Sequence, residues 1–152
     1  SNSHERILKA LEFYGIYDEI IRLRQDGRFT YTVQVDPAVR DVLIPKLWVQ
    51  PVVENSVKYG SLRKQTLHVD LTARMEDGFL LLTVEDNGTG FEPQRLKEVQ
   101  DSLTDPKKGT RQSGLQSLAR RLVLLYGKES SVTIESEYMV HTRVTLRMRR
   151  GG

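Results

Sequence analysis

The chain has 152 residues and no cysteine. That excludes disulfides and thiolate metal sites, and it fits a reducing compartment. It contains no apolar run near the ~18 residues that a membrane-crossing helix needs, and no secretory signal pattern. It lacks G-x-x-x-x-G-K-[ST], so phosphate binding by that loop is excluded. Excess charge is scarce as well, with a net charge of only +3. The excess is divided between Arg147, Arg149 and Arg150 in the tail and Lys107, Lys108 and Arg111 upstream. Neither group makes a nucleic-acid stripe, and no nucleic-acid partner is expected. Internal repeats and low-complexity tracts are also absent.

What remains is ordinary for one globular domain. Charged residues make up 28% and hydrophobic ones 38%, and the length allows a substantial core. Ser1-Asn2-Ser3 reads as a vector scar or a helix N-cap. Residues 4–25 have apolar side chains at helical spacing, with Gly15 as a weak point and Asp26-Gly27 as the stop. Those side chains lie on more than one side, so the helix packs either on the domain or on a neighbour outside the chain. Arg28 to Val35 alternates as a half-buried strand. Ile44-Pro45 is expected to open a second helix that runs to Gly60.

Thr66 to Met75 and residues 79–85 form a hairpin through Glu76-Asp77-Gly78. A short helix is expected over Pro93 to Leu103, then an aperiodic basic stretch to Ser113. A strong helix from Gly114 to Tyr126 follows, and strands near 130–138 and 142–149 close the chain. Hairpins of strands with helices between them predict an α/β (α+β) two-layer sandwich, a mixed and largely antiparallel sheet covered by helices on one face.

Three stretches carry candidate chemistry. In Val84-Glu85-Asp86-Asn87-Gly88-Thr89-Gly90-Phe91 a buried strand ends in an acid, an amide and two glycines. The stretch is either a hairpin turn or a carboxylate presented to a ligand. A buried carboxylate needs donors, and an adenine amino group with an ordered water would supply them. Gly88 and Gly90 would let the backbone approach a flat ring. Asn55 is polar inside the apolar run Val52 to Val57. It is either a core asparagine tying two elements together or an oxygen donor to a hard cation such as Mg2+. Glu54 and Lys58 stand four apart, as a surface ion pair would. Gly114 opens a helix whose first N–H groups suit a phosphate. Lys107, Lys108 and Arg111 belong either to a solvated loop or to a lid over a triphosphate.

Together these stretches resemble the GHKL ATP-binding fold in its LytS/YesM-type sensor histidine kinase version. Gln50 to Gly60 resembles the N-box, Val84 to Phe91 the G1 box, and Gly114 to Leu122 with Leu125-Tyr126-Gly127 the G2 box and the helix behind it. The likeness runs from about residue 10 to residue 149. It implies that Asn55 holds Mg2+, Asp86 and Asn87 stand at the adenine, and Gly88 and Gly90 shape the base pocket. Gly114 and Leu115 would start the helix facing the phosphates, with residues 92–113, including Lys108 and Arg111, as the ATP lid. Lys58 and Tyr59 would lie one turn after Asn55. Glu54 is the candidate to polarise a nucleophile.

The chain departs from the family pattern at three places. Gln112 and Ser117 replace a glycine and an asparagine of the G2 box. Pro51 stands where related ATPases place a water-activating glutamate, which favours transfer to a protein over hydrolysis. The family's phosphoacceptor histidine is followed by phenylalanine, and none of His4, His68 and His141 has that setting.

The resemblance therefore implies a catalytic fragment that uses ATP and Mg2+ and phosphorylates a histidine outside it. It would be a protein-histidine kinase domain working with a response regulator. Residues 1–27 would be a linker helix towards the phosphoacceptor region and 28–152 the ATP-binding domain. The setting would be the cytoplasmic portion of a membrane-bound, homodimeric receptor. The competing reading is a non-catalytic nucleotide-sensing or dimerisation module, motivated by Gln112 and Ser117.

Overall fold

Alternation of apolar and polar side chains builds most of the central sheet, and the apolar run Phe79 to Leu82 is its exception. The computed structural model describes residues 3–12, 18–46, 48–60, 66–104 and 114–150. Its elements are β1 (His4–Arg6), α1 (Ile7–Glu12), α2 (Asp18–Gln25), β2 (Phe29–Val35), a short 3-10 turn (Pro37–Val39) and β3 (Leu43–Pro45). There follow α3 (Val49–Gly60), β4 (Leu67–Glu76), β5 (Phe79–Asp86), α4 (Pro93–Thr104), α5 (Gly114–Tyr126), β6 (Ser131–Glu137) and β7 (His141–Arg149). Five strands form one sheet in the order β2-β4-β5-β7-β6. The β2–β4 pair is parallel and the other pairs are antiparallel.

Two neighbouring rows across this sheet show how its faces differ. Leu71, Val84, Val144 and Ile134 stand opposite one another in register, and all four are buried. One residue along, the row is Thr72, Thr83, Thr145 and Thr133, with the Thr72 and Thr83 hydroxyls bonded to each other. Side chains alternate across a strand, so the first row lies on the core face and the second on the open face. The open face is polar and ion-paired, as at Glu85–Arg143. Phe79 and Leu81 are apolar exceptions there, and the guanidinium of Arg147 lies 3.5 Å from the Phe79 ring centroid.

The helices cover the other face. Val49, Val52, Val53 and Val57 of α3 and Leu115, Leu118 and Leu122 of α5 are buried in one cluster with the inner strand residues. Both runs keep the three-and-four spacing of a helix stripe. The two-layer sandwich with a mixed, largely antiparallel sheet is therefore the observed architecture. Among the described residues no helix is long and apolar enough to cross a membrane.

The N-terminal region corrects two expectations. His4–Arg6 is a strand, paired antiparallel with Leu43–Pro45, and not the opening of a long helix. Its three polar residues carry no strand signal of their own, and tertiary pairing decides their state. Ile44 and Pro45 accordingly end a short strand, and the helix begins at Val49. Pro45 belongs to a strand at a sheet edge, where a missing N–H is tolerated. Ile7, Ala10, Leu11 and Leu23 all join the common core, so these four side chains pack on the domain.

Candidate functional site

Asp86 is the last residue of β5, and the register that buries Leu80, Leu82 and Val84 turns it inward as well. It is only 5% exposed. The backbone N–H of Gly88 donates to its Oδ1 at 2.8 Å. The hydroxyl of Ser56 on α3, itself buried, donates a second bond. Burial pushes the Asp86 carboxyl above the ordinary aspartate range. The Gly88 N–H, the Ser56 hydroxyl and positive charge at His141 pull the other way, and Glu85 adds a smaller upward push. An acid in this setting gains from any further donor.

The segment after Asp86 is fastened on both sides. Asn87 accepts from the backbone N–H of His68 at 2.7 Å through Oδ1, and its Nδ2 donates to the carbonyl of Thr66 at 3.3 Å. Its side chain thus works on the start of β4. On the other side, the N–H of Phe91 donates to Ser136 Oγ at 2.8 Å, and Ser136 Oγ donates to the carbonyl of His141 at 2.8 Å. Gly90 lies at φ +66. A Cβ there would come 2.8 Å from Ser136 Oγ and 3.0 Å from the His141 oxygen, with the Glu137 carbonyl closer still. The close approach that Gly90 permits is therefore to the β6–β7 turn. Gly88 is buried beside Asp86.

Helix α3 joins the three candidate stretches. Ser56 reaches Asp86, while Pro51 lies 3.6 Å from where a Cβ on Gly114 would sit. With 3.6 residues per turn, Asn55 falls on the arc of α3 between these two contacts. It is half-buried there. Gly114 opens α5 at the surface, and Leu115 is a core residue, so Leu115 offers a ligand only its backbone. Gln116, also buried, donates to the carbonyl of Ser102 and ties α5 to the end of α4.

The other predicted residues are distributed as follows. Glu54 accepts from Gln50 Nε2 at 2.9 Å, and Lys58 is exposed on the same helix. Tyr59 lies in α3. Lys107, Lys108, Arg111 and Gln112 lie outside the described residues. Ser117 is half-buried on α5, and His68 and His141 are in strands. Sequence reading missed Ser56 and His141. The first had a signal, a hydroxyl among Val52, Val53 and Val57. The second had none, because a strand histidine announces nothing about what faces it.

A family model described as histidine kinase-, DNA gyrase B- and HSP90-like ATPase matches residues 41–152. The sensor protein LytS of Staphylococcus haemolyticus is 33% identical over 129 residues, covering 84% of this chain and 22% of that protein. The sensor histidine kinase YesM of Bacillus subtilis is 32% identical over 131 residues, covering 86% of this chain and 21% of that one. The chain thus spans about a fifth of the length of the curated relatives it matches. Among solved structures, a nucleotide-free catalytic domain of histidine kinase ThkA superposes with a TM-score of 0.69 at 10% identity. That match covers 97% of this chain and 94% of that one, and it is a likeness of fold.

Proposed function

This chain belongs to the histidine kinase-, DNA gyrase B- and HSP90-like ATPase family, and from that membership we propose that it is the ATP-binding catalytic domain of a two-component sensor histidine kinase. The observation that carries the proposal is Asp86, a buried carboxylate at a strand end, held by Gly88 and Ser56 beside the helix that bears Asn55. The base is recognised when its exocyclic amino group donates to Asp86. The N-terminal amides of α5 face the phosphates, where the helix dipole favours negative charge. Lys58, Tyr59, Lys108 and Arg111 are proposed as further nucleotide contacts, the last two from the lid.

The amide oxygen of Asn55 suits Mg2+, being a hard neutral donor, with phosphate oxygens and waters supplying the remaining ligands. Its position between the contacts to Asp86 and to Gly114 fits that use, since a nucleotide spanning those two residues passes it. Bound there, the cation would neutralise charge on the transferring phosphoryl group.

The reaction we propose is transfer of the γ-phosphoryl of ATP to a histidine ring nitrogen outside this chain. The N–P bond forms as the bond to the bridging oxygen of ADP breaks. Catalysis then rests on positioning and charge neutralisation. Pro51, which stands 3.6 Å from where a Cβ on Gly114 would sit, leaves no carboxylate one turn before Asn55 to activate water, which supports transfer over hydrolysis. Glu54 is the remaining candidate to polarise the nucleophile. The parent protein is proposed to be a membrane-bound, homodimeric receptor that passes the phosphoryl group to a response regulator, with this domain on its cytoplasmic side. Residues 1–27 would lead towards the phosphoacceptor region, while Ile7, Ala10, Leu11 and Leu23 pack on the catalytic core.

The test is phosphotransfer from labelled ATP to a separately supplied histidine-bearing dimerisation segment of a LytS/YesM-type kinase. Labelled phosphate, acid-labile and base-stable as phosphohistidine is, is the expected product. Nucleotide binding without any transfer would favour the non-catalytic sensing module.

A further inference from the structure

We propose that the open face of the sheet binds a second copy of this chain, face to face, with Glu135 of each copy paired to Arg147 of the other. The surface lies on the side of the sheet away from Asp86, which points into the core. It is therefore independent of the nucleotide site.

Charge on this face is sorted by rows. To one side of the row Thr72, Thr83, Thr145 and Thr133, two residues along each strand, stand Asp70, Glu85, Arg143 and Glu135. To the other side, at the same interval, stand Arg74, Leu81, Arg147 and Ser131. The first row has three carboxylates and one guanidinium, and the second has two guanidiniums and no carboxylate. Most of these charges are matched within the subunit. His68 lies 2.8 Å from Asp70, Arg143 3.3 Å from Glu85, and Arg74 2.9 Å from Glu76. Glu135 and Arg147 are exposed and form no ion pair among the described residues. Arg147 lies over the ring of Phe79, which leaves its charge unmatched.

A face sorted in this way is complementary to itself. When two copies meet about a two-fold axis running along the threonine row, the acidic row of each falls on the basic row of the other. Glu135 and Arg147 stand on neighbouring strands, β6 and β7. A strand spacing of ~4.8 Å and a sheet separation of ~10 Å then put the backbone of Glu135 about 11 Å from that of the partner subunit's Arg147. These two long side chains close that gap, and symmetry makes the pair twice. On the axis each threonine meets its own copy, where a hydroxyl serves as donor and acceptor alike and a charged side chain would meet its like. An unrelated acidic partner would satisfy Arg147 and leave Glu135 unmatched. The same spacings give a face on the order of 500–600 Å2 per copy, or roughly 1,100 Å2 in the pair, which is small for a specific complex. The dimer is therefore weak and screened by salt.

The experiment is sedimentation velocity of the whole chain from about 5 to 500 μM, with circular dichroism to establish folding. Wild type should pass from monomer to dimer with rising concentration in low salt, and return to monomer at about 0.5 M salt. Arg147→Glu and Glu135→Arg each set like charges across the axis twice, and each should weaken the dimer by roughly tenfold or more. An equimolar mixture of the two variants re-forms both opposite pairs and should bring the dimer back to near the wild-type level. If Arg147→Glu does not fold for want of a cover on Phe79, Arg147→Met keeps a long side chain over the ring. Mixed with Glu135→Arg, it should restore the dimer in part. Wild type that stays monomeric in low salt at every concentration would overturn the inference. So would a dimer indifferent to both substitutions, or a mixture no more dimeric than the variants alone.

Discussion

A side chain at Gly90 would collide with the backbone carbonyl of Glu137. The φ of +66 adds strain for any L residue there. Two independent penalties thus fall on one position, and the obstacle is backbone that cannot rotate away. We expect Gly90→Ala to cost about 2–4 kcal/mol. Gly127→Ala, at φ +97 with nothing within 4 Å of the new Cβ, should cost only about 1–2 kcal/mol. Urea denaturation of the two variants checks the comparison. Equal costs would show that the β6–β7 turn yields to a methyl group.

Asp86→Asn should separate stability from binding. The folded-state pKa of Asp86 lies above its ordinary value near 3.8, so the native state holds that proton more tightly than the unfolded chain does. Stability from this group therefore falls as pH rises from about 4 through the folded pKa. At neutral pH the ionised side chain is a net cost. The amide removes it and can still accept from Gly88. Denaturation at several pH values should find Asp86→Asn at least as stable as wild type at pH 7, with a flatter slope in that window. A large loss of stability at pH 7 would mean that the carboxylate contributes to holding the fold.

Ile7 is fully buried, on the first turn of α1 just after β1. If the N-terminal region is part of the folded unit, Ile7→Ala should destabilise the chain by about 2–5 kcal/mol, as core truncations do. Thermal denaturation followed by circular dichroism measures this. A change below about 0.5 kcal/mol would place this turn outside the cooperative core.

The parts of the fold that were legible in the sequence are those with long, regular periods. The alternation of Leu67, Val69, Leu71 and Ala73, and the stripe of Leu115, Leu118 and Leu122, each fix an element without help from its neighbours. His4–Arg6 and Leu43–Pro45 were not legible because each is three residues long and exists through the other. The site divides in the same way. Asp86, Asn55 and Gly114 stand in motifs. The bonds that hold them are set by tertiary packing, as with the Ser56 hydroxyl on Asp86 and the Asn87 amide on β4. The sequence points to a close approach at Gly90, and what a side chain there would meet is the β6–β7 turn. A glycine signals a close approach and leaves open what approaches.

The central claim is that Asp86 reads the base of a bound adenine nucleotide. The most direct measurement is titration calorimetry of a non-hydrolysable ATP analogue with Mg2+ against wild type and Asp86→Asn. An amide presents N–H2 to a group that is itself a donor, and a hydrogen bond to a charged acceptor is lost. The expected result is saturable binding to wild type and an affinity lower by roughly 10- to 100-fold or more in the folded variant. Equal affinity for the two proteins would contradict the account.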